Sequence, residues 1–221
     1  MKIKDQSFVC SWSGGKDSCL SLYRAIKQGG KPKYLLTMLT ENGDRSRSHG
    51  LKIELIKRQS KALGIPILFG QASWKDYEQV FIENLKALKS KGCTLGVFGD
   101  IDIDDHKKWE EDSCNSANIS AYLPLWQEPR KKLVEEFIDS GFKAIIVTIK
   151  EGALDKKFLG RTLNHDLIRE MEDLGVDPCG ESGEFHTVVI DGPIFELPVK
   201  VHIKGCIYHE GYWFLDMNIN D

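Results

Sequence analysis

The chain has 221 residues, 30 basic and 33 acidic side chains and a formal net charge of −3. At roughly 150 residues per domain, that allows one large α/β domain or one ordinary domain with a smaller appendage. Such a chain can bury a core without cross-links. The slightly acidic total disfavours nucleic acid as the main partner, because proteins that track phosphate backbones carry a basic excess. With 41% apolar and 29% charged residues, the composition is that of a globular chain, not a disordered one.

Taken in chain order, the pattern alternates strands and helices. Ser7 to Trp12 is a short apolar run, after which Cys19, Leu20, Leu22, Tyr23 and Ile26 recur at helical spacing until Gly29-Gly30. Tyr34 to Leu39 reads as the second strand, Ile53 to Leu63 as the second helix and Ile65 to Phe69 as the third strand. Tyr77 to Leu88 reads as the third helix, and Leu95 to Phe98 as a fourth strand ending at Gly99-Asp100. Repeated β-α-β order predicts a parallel sheet with helices on both faces, of Rossmann-like type. Ligands of such sheets sit at the carboxyl ends of the strands.

The texture changes near Leu123-Pro124-Leu125-Trp126, which predicts a first domain over residues 1–125 and a smaller α+β domain over 126–221. Leu133 to Ile138 reads as a helix and Ala144 to Val147 as a strand. Val199, Val201 and Ile203 alternate with polar residues as a half-buried strand requires. Glu210-Gly211 reads as the turn of a hairpin. No run approaches the length of a membrane span. Six scattered cysteines without a C-x-x-C pair fit reduced thiols and a cytoplasmic location.

Ser13-Gly14-Gly15-Lys16-Asp17-Ser18 lies between the first strand and the first helix. Two glycines let the backbone approach a ligand, and a helix N-terminus offers N–H groups and a positive dipole end. Lys16 adds a charge, and Ser13 and Ser18 add hydroxyl groups. A Walker A loop would need glycine at position 10 and a hydroxyl residue at 17, where Cys10 and Asp17 stand. Cys10 and Cys19 flank the loop. Sulfur transfer is one reading of them, and the strand and apolar-face positions favour packing.

This hexapeptide resembles the PP-loop of the N-type ATP pyrophosphatases, which cleave ATP to AMP and pyrophosphate on an adenine nucleotide alpha hydrolase-like fold. The resemblance implies that Ser13 to Ser18 hold the phosphates. It also puts Thr37 and Met38, with Gly99, on the nucleotide side.

A second stretch, Gly180-Glu181-Ser182-Gly183-Glu184-Phe185-His186-Thr187, puts two carboxylates and an aromatic ring into a glycine-bounded turn. From the residues alone it is either a solvated acidic turn or a site. As a site, Glu181 and Glu184 could hold Mg²⁺ or a cationic substrate group, and Phe185 could offer its ring to a quaternary ammonium. Read with the first motif, it resembles the G-E-x-G-E-[FY]-x-T signature of the diphthine–ammonia ligase family. Thr40-Glu41-Asn42, Ser48-His49, Gly64-Ile65-Pro66, Pro124-Leu125-Trp126, Leu159-Gly160-Arg161 and Asp177-Pro178-Cys179 also match that family.

The resemblance implies an amide-forming ligase that adenylates the diphthine carboxylate of translation elongation factor 2 for attack by ammonium. ATP and Mg²⁺ would be its cofactors, with AMP and pyrophosphate released. Lys16, Asp17, Glu181 and Glu184 would be catalytic. Asn42, His49, Arg161, Gly180, Glu181, Gly183, Glu184, Phe185 and Thr187 would line the substrate, while the metal ligands stay unassigned. Under 100 residues beyond the nucleotide domain is short for a separate glutaminase domain, so free ammonium or another protein is the expected nitrogen source. Ser182 and the charged segment Gly43 to Arg47 depart from the family pattern. A different acceptor (a small carboxylate or tRNA) and a nucleotide-binding module without turnover are the competing readings.

Overall fold

The structure is a computed structural model and describes residues 3–219. The chain divides into two compact units. The first runs up to Ser13 and resumes over Asp17–Glu128, and the second comprises Gly14–Lys16 with the residues from Pro129 onward.

The first unit is built on a five-stranded sheet of order β3-β2-β1-β4-β5, with every neighbouring pair parallel. Its strands are β1 (Ser7–Ser11), β2 (Lys31–Leu39), β3 (Ile67–Gln71), β4 (Leu95–Val97) and β5 (Ser120–Tyr122). The crossover helices are α1 (Lys16–Lys27), α2 (Ile53–Leu63), α3 (Tyr77–Ser90) and α4 (Asp104–Ser116). The chain moves outward from β1 through β2 to β3, then returns to β1's other side at β4. Right-handed crossovers therefore place α1 and α2 on one face and α3 and α4 on the other. The reversal lies between β1 and β4, so the loops leaving these two strands border the switch point where α/β sheets bind ligands.

The amphipathic signals translate directly into packing. Cys19, Leu20 and Leu22 of α1 and Leu55 and Ile56 of α2 are buried. On the opposite face Phe81, Leu85 and Leu88 of α3 pack with Val9, Leu36, Phe98 and Cys114. The strand expected at Ile65 begins two residues later and extends to Gln71, because Leu35 N takes the Pro66 carbonyl before ladder pairing starts. Two elements of this unit, α4 and β5, had no signal in the sequence pattern. The buried face of α4 carries Glu110, Ser113 and Cys114, so apolar periodicity is nearly absent, and β5 spans only 3 residues.

The second unit carries α5 (Arg130–Asp139), α6 (His165–Asp173) and an antiparallel sheet of order β7-β6-β9-β8. Its strands are β6 (Lys143–Lys150), β7 (Phe185–Asp191), β8 (Val201–His209) and β9 (Tyr212–Ile219). Phe137, Ala144, Ile146, Ile149, Val188 and Val189 are fully or almost fully buried. Helix α6 is also absent from the sequence reading. It is capped by Asn164, whose side chain accepts a hydrogen bond from Leu167 N, worth about 1 kcal/mol. The expected hairpin is present, with His209 paired to Tyr212 and positive φ at Glu210 and Gly211, the turn that fits twisted antiparallel strands. Among the described residues no helix is long and apolar enough to cross a membrane.

Candidate nucleotide and substrate site

The end of β1 is locked before the loop begins. Trp12 N donates to Leu36 O at 2.8 Å, its indole Nε1 donates to Gln59 Oε1 at 3.0 Å, and Thr37 Oγ1 donates to Trp12 O. Thr37 and Met38 thus sit buried at the end of β2, with the Thr37 hydroxyl spent on the neighbouring strand. Cys10 and Cys19 are fully buried, and desolvation pushes the Cys10 thiol up to about 12. A thiol held protonated is a poor nucleophile, so both cysteines act as packing groups.

The glycine pair then makes the cradle. Gly14 has φ +84°, a left-handed conformation that an L side chain resists. Its carbonyl accepts Val189 N at 2.9 Å. Lys16 N donates to Thr187 Oγ1 at 3.1 Å, across 171 residues of sequence. Two side-by-side bonds to β7 therefore shape the middle of the loop. Ser13 and Ser18 share a hydroxyl–hydroxyl hydrogen bond of 3.0 Å, and Asp17 lies in the first turn of α1. Gly99, just beyond β4, is a packing glycine. A Cβ there would stand 2.8 Å from the backbone of Asp17 and Ser18, so its absence lets the first turn of α1 come down onto the strand end.

Lys16 is only 5% exposed, and its Nζ stands 6.0 Å from the ring centroid of Phe185. Gly180 has φ +70°, and a Cβ on it would crowd the Phe185 carbonyl and ring at 3.0–3.2 Å. The signature turn thus closes tightly over its own aromatic residue. Gly183 N donates to Gly180 O at 3.1 Å. The Glu184 carboxylate accepts Ser182 N at 3.1 Å, and the Glu184 carbonyl accepts Lys150 N at 2.9 Å. Glu181 and Glu184 are both half-buried at the turn. His186 follows on β7. Burial first, and the Lys16 charge second, lower its pKa to about 4, so at neutral pH it is a neutral imidazole.

The other expected substrate residues are spread through the fold. Asn42 is exposed and His49 half-buried in the segment after β2. Beside them Arg47 N donates to Met38 O at 3.0 Å, and its guanidinium stacks 4.6 Å from the Trp74 ring centroid. Arg161 forms an ion pair of 2.6 Å with Glu170 and lies 4.8 Å from the Phe158 ring centroid. Sequence reasoning missed a polar group at the end of β4, where Asp100 Oδ1 lies 2.8 Å from His106 Nδ1 and the carboxylate stands beside the buried Glu110. Its only sequence signal is the Gly99-Asp100 strand end.

Comparison with known proteins matches almost the whole chain. The family models for the Diphthamide synthase N-terminal domain and the Diphthamide synthase C-terminal domain match residues 6–120 and 129–221. The chain belongs to the diphthamide synthase family. Curated relatives include the diphthine–ammonia ligases of Mus musculus and Homo sapiens, 26% and 25% identical over 89% of this chain and 83% of each relative. The Schizosaccharomyces pombe diphthine–ammonia ligase is 24% identical over 89% of this chain but 36% of its own length. A solved structure described as a predicted subunit of tRNA methyltransferase from Methanocaldococcus jannaschii aligns over 85% of this chain and 98% of its own, with TM-score 0.48 and 19% identity. In this member of the diphthamide synthase family, the strand that carries Thr187 and Val189 also bonds Gly14 and Lys16 of the glycine loop.

Proposed function

We propose that this chain is an ATP-dependent, AMP-forming diphthine–ammonia ligase. The observation that carries the reading is the glycine cradle at the head of α1, bonded to the signature strand through Gly14 O and Lys16 N, in a chain of the diphthamide synthase family. A diphthine carboxylate oxygen attacks the α-phosphorus of ATP, the α–β bridge breaks, and pyrophosphate leaves with the bridging electron pair. Ammonia then attacks the acyl carbon and AMP departs, leaving an amide and a proton released to solvent.

Within that chemistry the chain's groups divide the work. The loop N–H groups from Ser13 to Ser18, apart from the Lys16 amide that Thr187 holds, and the Lys16 ammonium offset charge growing on the leaving phosphates. Asp17, at the start of α1, belongs to the same catalytic set. Thr37, Met38 and Gly99 border the nucleotide. Glu181 and Glu184 are hard oxygen donors of the kind Mg²⁺ takes, and a bound Mg²⁺ would neutralise phosphate charge. The same carboxylates, with the Phe185 ring, also suit a trimethylammonium group. Asn42, His49, Arg161, Gly180, Gly183 and Thr187 complete the assigned substrate set, and elongation factor 2 bearing diphthine is the proposed protein substrate, met in the cytoplasm.

Product analysis with α-labelled ATP, ammonium and Mg²⁺ tests the reading. AMP is expected only when ammonium and diphthine-bearing elongation factor 2 are both present. AMP formed without that protein would move the acceptor to a small molecule or RNA, and ADP in place of AMP would overturn the pyrophosphatase chemistry itself.

A further inference from the structure

Strand β8 is the last of its sheet, in the order β7-β6-β9-β8, and among the described residues no strand pairs its outer edge. It is 9 residues long, and residues 202–209 are all exposed. Ile203, Ile207 and Tyr208 are 46%, 51% and 46% exposed. Its support is thin. It pairs only with β9, and β9 pairs with β6 only over residues 212–214. A two-stranded ribbon is marginal in water, and an open edge with apolar side chains is a template for another strand.

The pairing pattern shows what this edge offers. Glu210-Gly211 closes the hairpin with His209 opposite Tyr212, both turn residues having positive φ, and in such a turn the closing pair is hydrogen-bonded. Alternation then points the Ile207 N–H and C=O back at β9, and those of Cys206 and Tyr208 outward. Side chains follow the same register. Ile207 lies opposite Phe214 on one face, and Tyr208 lies opposite Trp213 on the other, with ring centroids 4.9 Å apart. A bulge between Ile203 and Gly205 ends the regular edge. The stretch Gly205-Cys206-Ile207-Tyr208 is uncharged at neutral pH, with the basic Lys204 before it and, past His209, the acidic Glu210.

We propose that β8 pairs antiparallel with β8 of a second copy of this chain, about a twofold axis at Ile207, joining the two sheets into one. The edge is complementary to itself, as a twofold contact requires. Centred on Ile207, each Cys206 meets Tyr208 of the second copy, and the outward N–H and C=O groups of both residues find partners. Ile207 meets Ile207 as the closer, non-hydrogen-bonded pair, next to the two Phe214 rings. The same alignment sets each Lys204 toward Glu210 of the second copy, so the charge order along the strand is matched by its own reversal. So short a seam covers less than the roughly 800 Å² per partner of a stable interface, and the dimer is therefore weak and concentration-dependent.

Sedimentation equilibrium of the full chain from about 1 μM to about 1 mM, the span of weak association, should show the mass rising from monomer toward dimer. Ile207→Lys sets like charges opposite each other and should raise the dissociation constant roughly tenfold or more, with an unchanged circular dichroism spectrum. In a Cys206→Ser background, Ile207→Cys should form an intermolecular disulfide under mild oxidation, because the close antiparallel pair has the spacing such a bond needs. Ser90→Cys, at the exposed end of α3, is the control and should form none. A monomer mass throughout the range overturns the proposal and leaves the edge to a strand of another protein. A dimer unchanged by Ile207→Lys also overturns it, as does a disulfide that forms no faster at position 207 than at position 90. Should Ile207→Lys misfold, the disulfide comparison decides alone.

Discussion

Thr187 illustrates how one hydroxyl can hold a loop. It is 2% exposed, and its Oγ1 accepts the Lys16 amide at 3.1 Å. Thr187→Val keeps the shape but removes the acceptor, leaving a buried N–H unmatched at a cost of about 1–3 kcal/mol. Titration calorimetry should show ATP binding at least tenfold weaker in Thr187→Val and near normal in Thr187→Ser. Equal affinity in all three proteins would detach the hydroxyl from the cradle. The residue types of the cradle were readable beforehand, since two glycines, a lysine and two serines between a strand and a helix admit few uses. What fixes their conformation was not readable, because the partner stands 171 positions away and no local pattern encodes such a pairing.

Among the elements, α4 and β7 carry two groups whose protonation differs between the folded and the unfolded chain, and they act in opposite directions. His186 of β7 keeps its neutral form down to about pH 4, while an unfolded histidine takes up a proton near 6.5. The unfolded state binds the extra proton, so stability falls as pH drops from 6.5 toward 4. Glu110 of α4 keeps its proton to about pH 11, whereas an unfolded glutamate loses it near 4.5. Its contribution is complete below that value and declines as pH rises. Denaturant titrations should therefore show His186→Gln flattening the acid limb. Glu110→Gln should make the alkaline limb shallower, by on the order of 1 kcal/mol per pH unit. Parallel pH curves for wild type and both variants would sink the assignment. The same buried polarity explains why α4 escaped the sequence pattern, since Glu110 and Ser113 occupy positions where periodicity expects apolar side chains. Helices α2 and α3 were legible because Leu55, Ile56, Phe81, Leu85 and Leu88 fill those positions.

At the scale of the whole chain, the parallel sheet with helices on both faces followed from β-α-β repetition, whereas its order β3-β2-β1-β4-β5 came only with the structure. The antiparallel sheet was legible mainly through the hairpin at Glu210-Gly211. The grouping of Gly14–Lys16 with the residues from Pro129 onward had no such signal, because contiguity in sequence argues for keeping a loop with its flanking strand. That grouping bears on how the protein is made. A ribosome delivers residues 14–16 well before residues 187–189, so in the interval between them Gly14 O and Lys16 N lack the Val189 and Thr187 partners they have in the finished fold. Fragments released after residue 128 should bind ATP at least tenfold more weakly than the full chain, measured by equilibrium dialysis; equal binding would show that the loop shapes itself. The nascent protein is thus expected to be silent toward nucleotide until Thr187 and Val189 emerge, which would keep shorter nascent chains from consuming ATP.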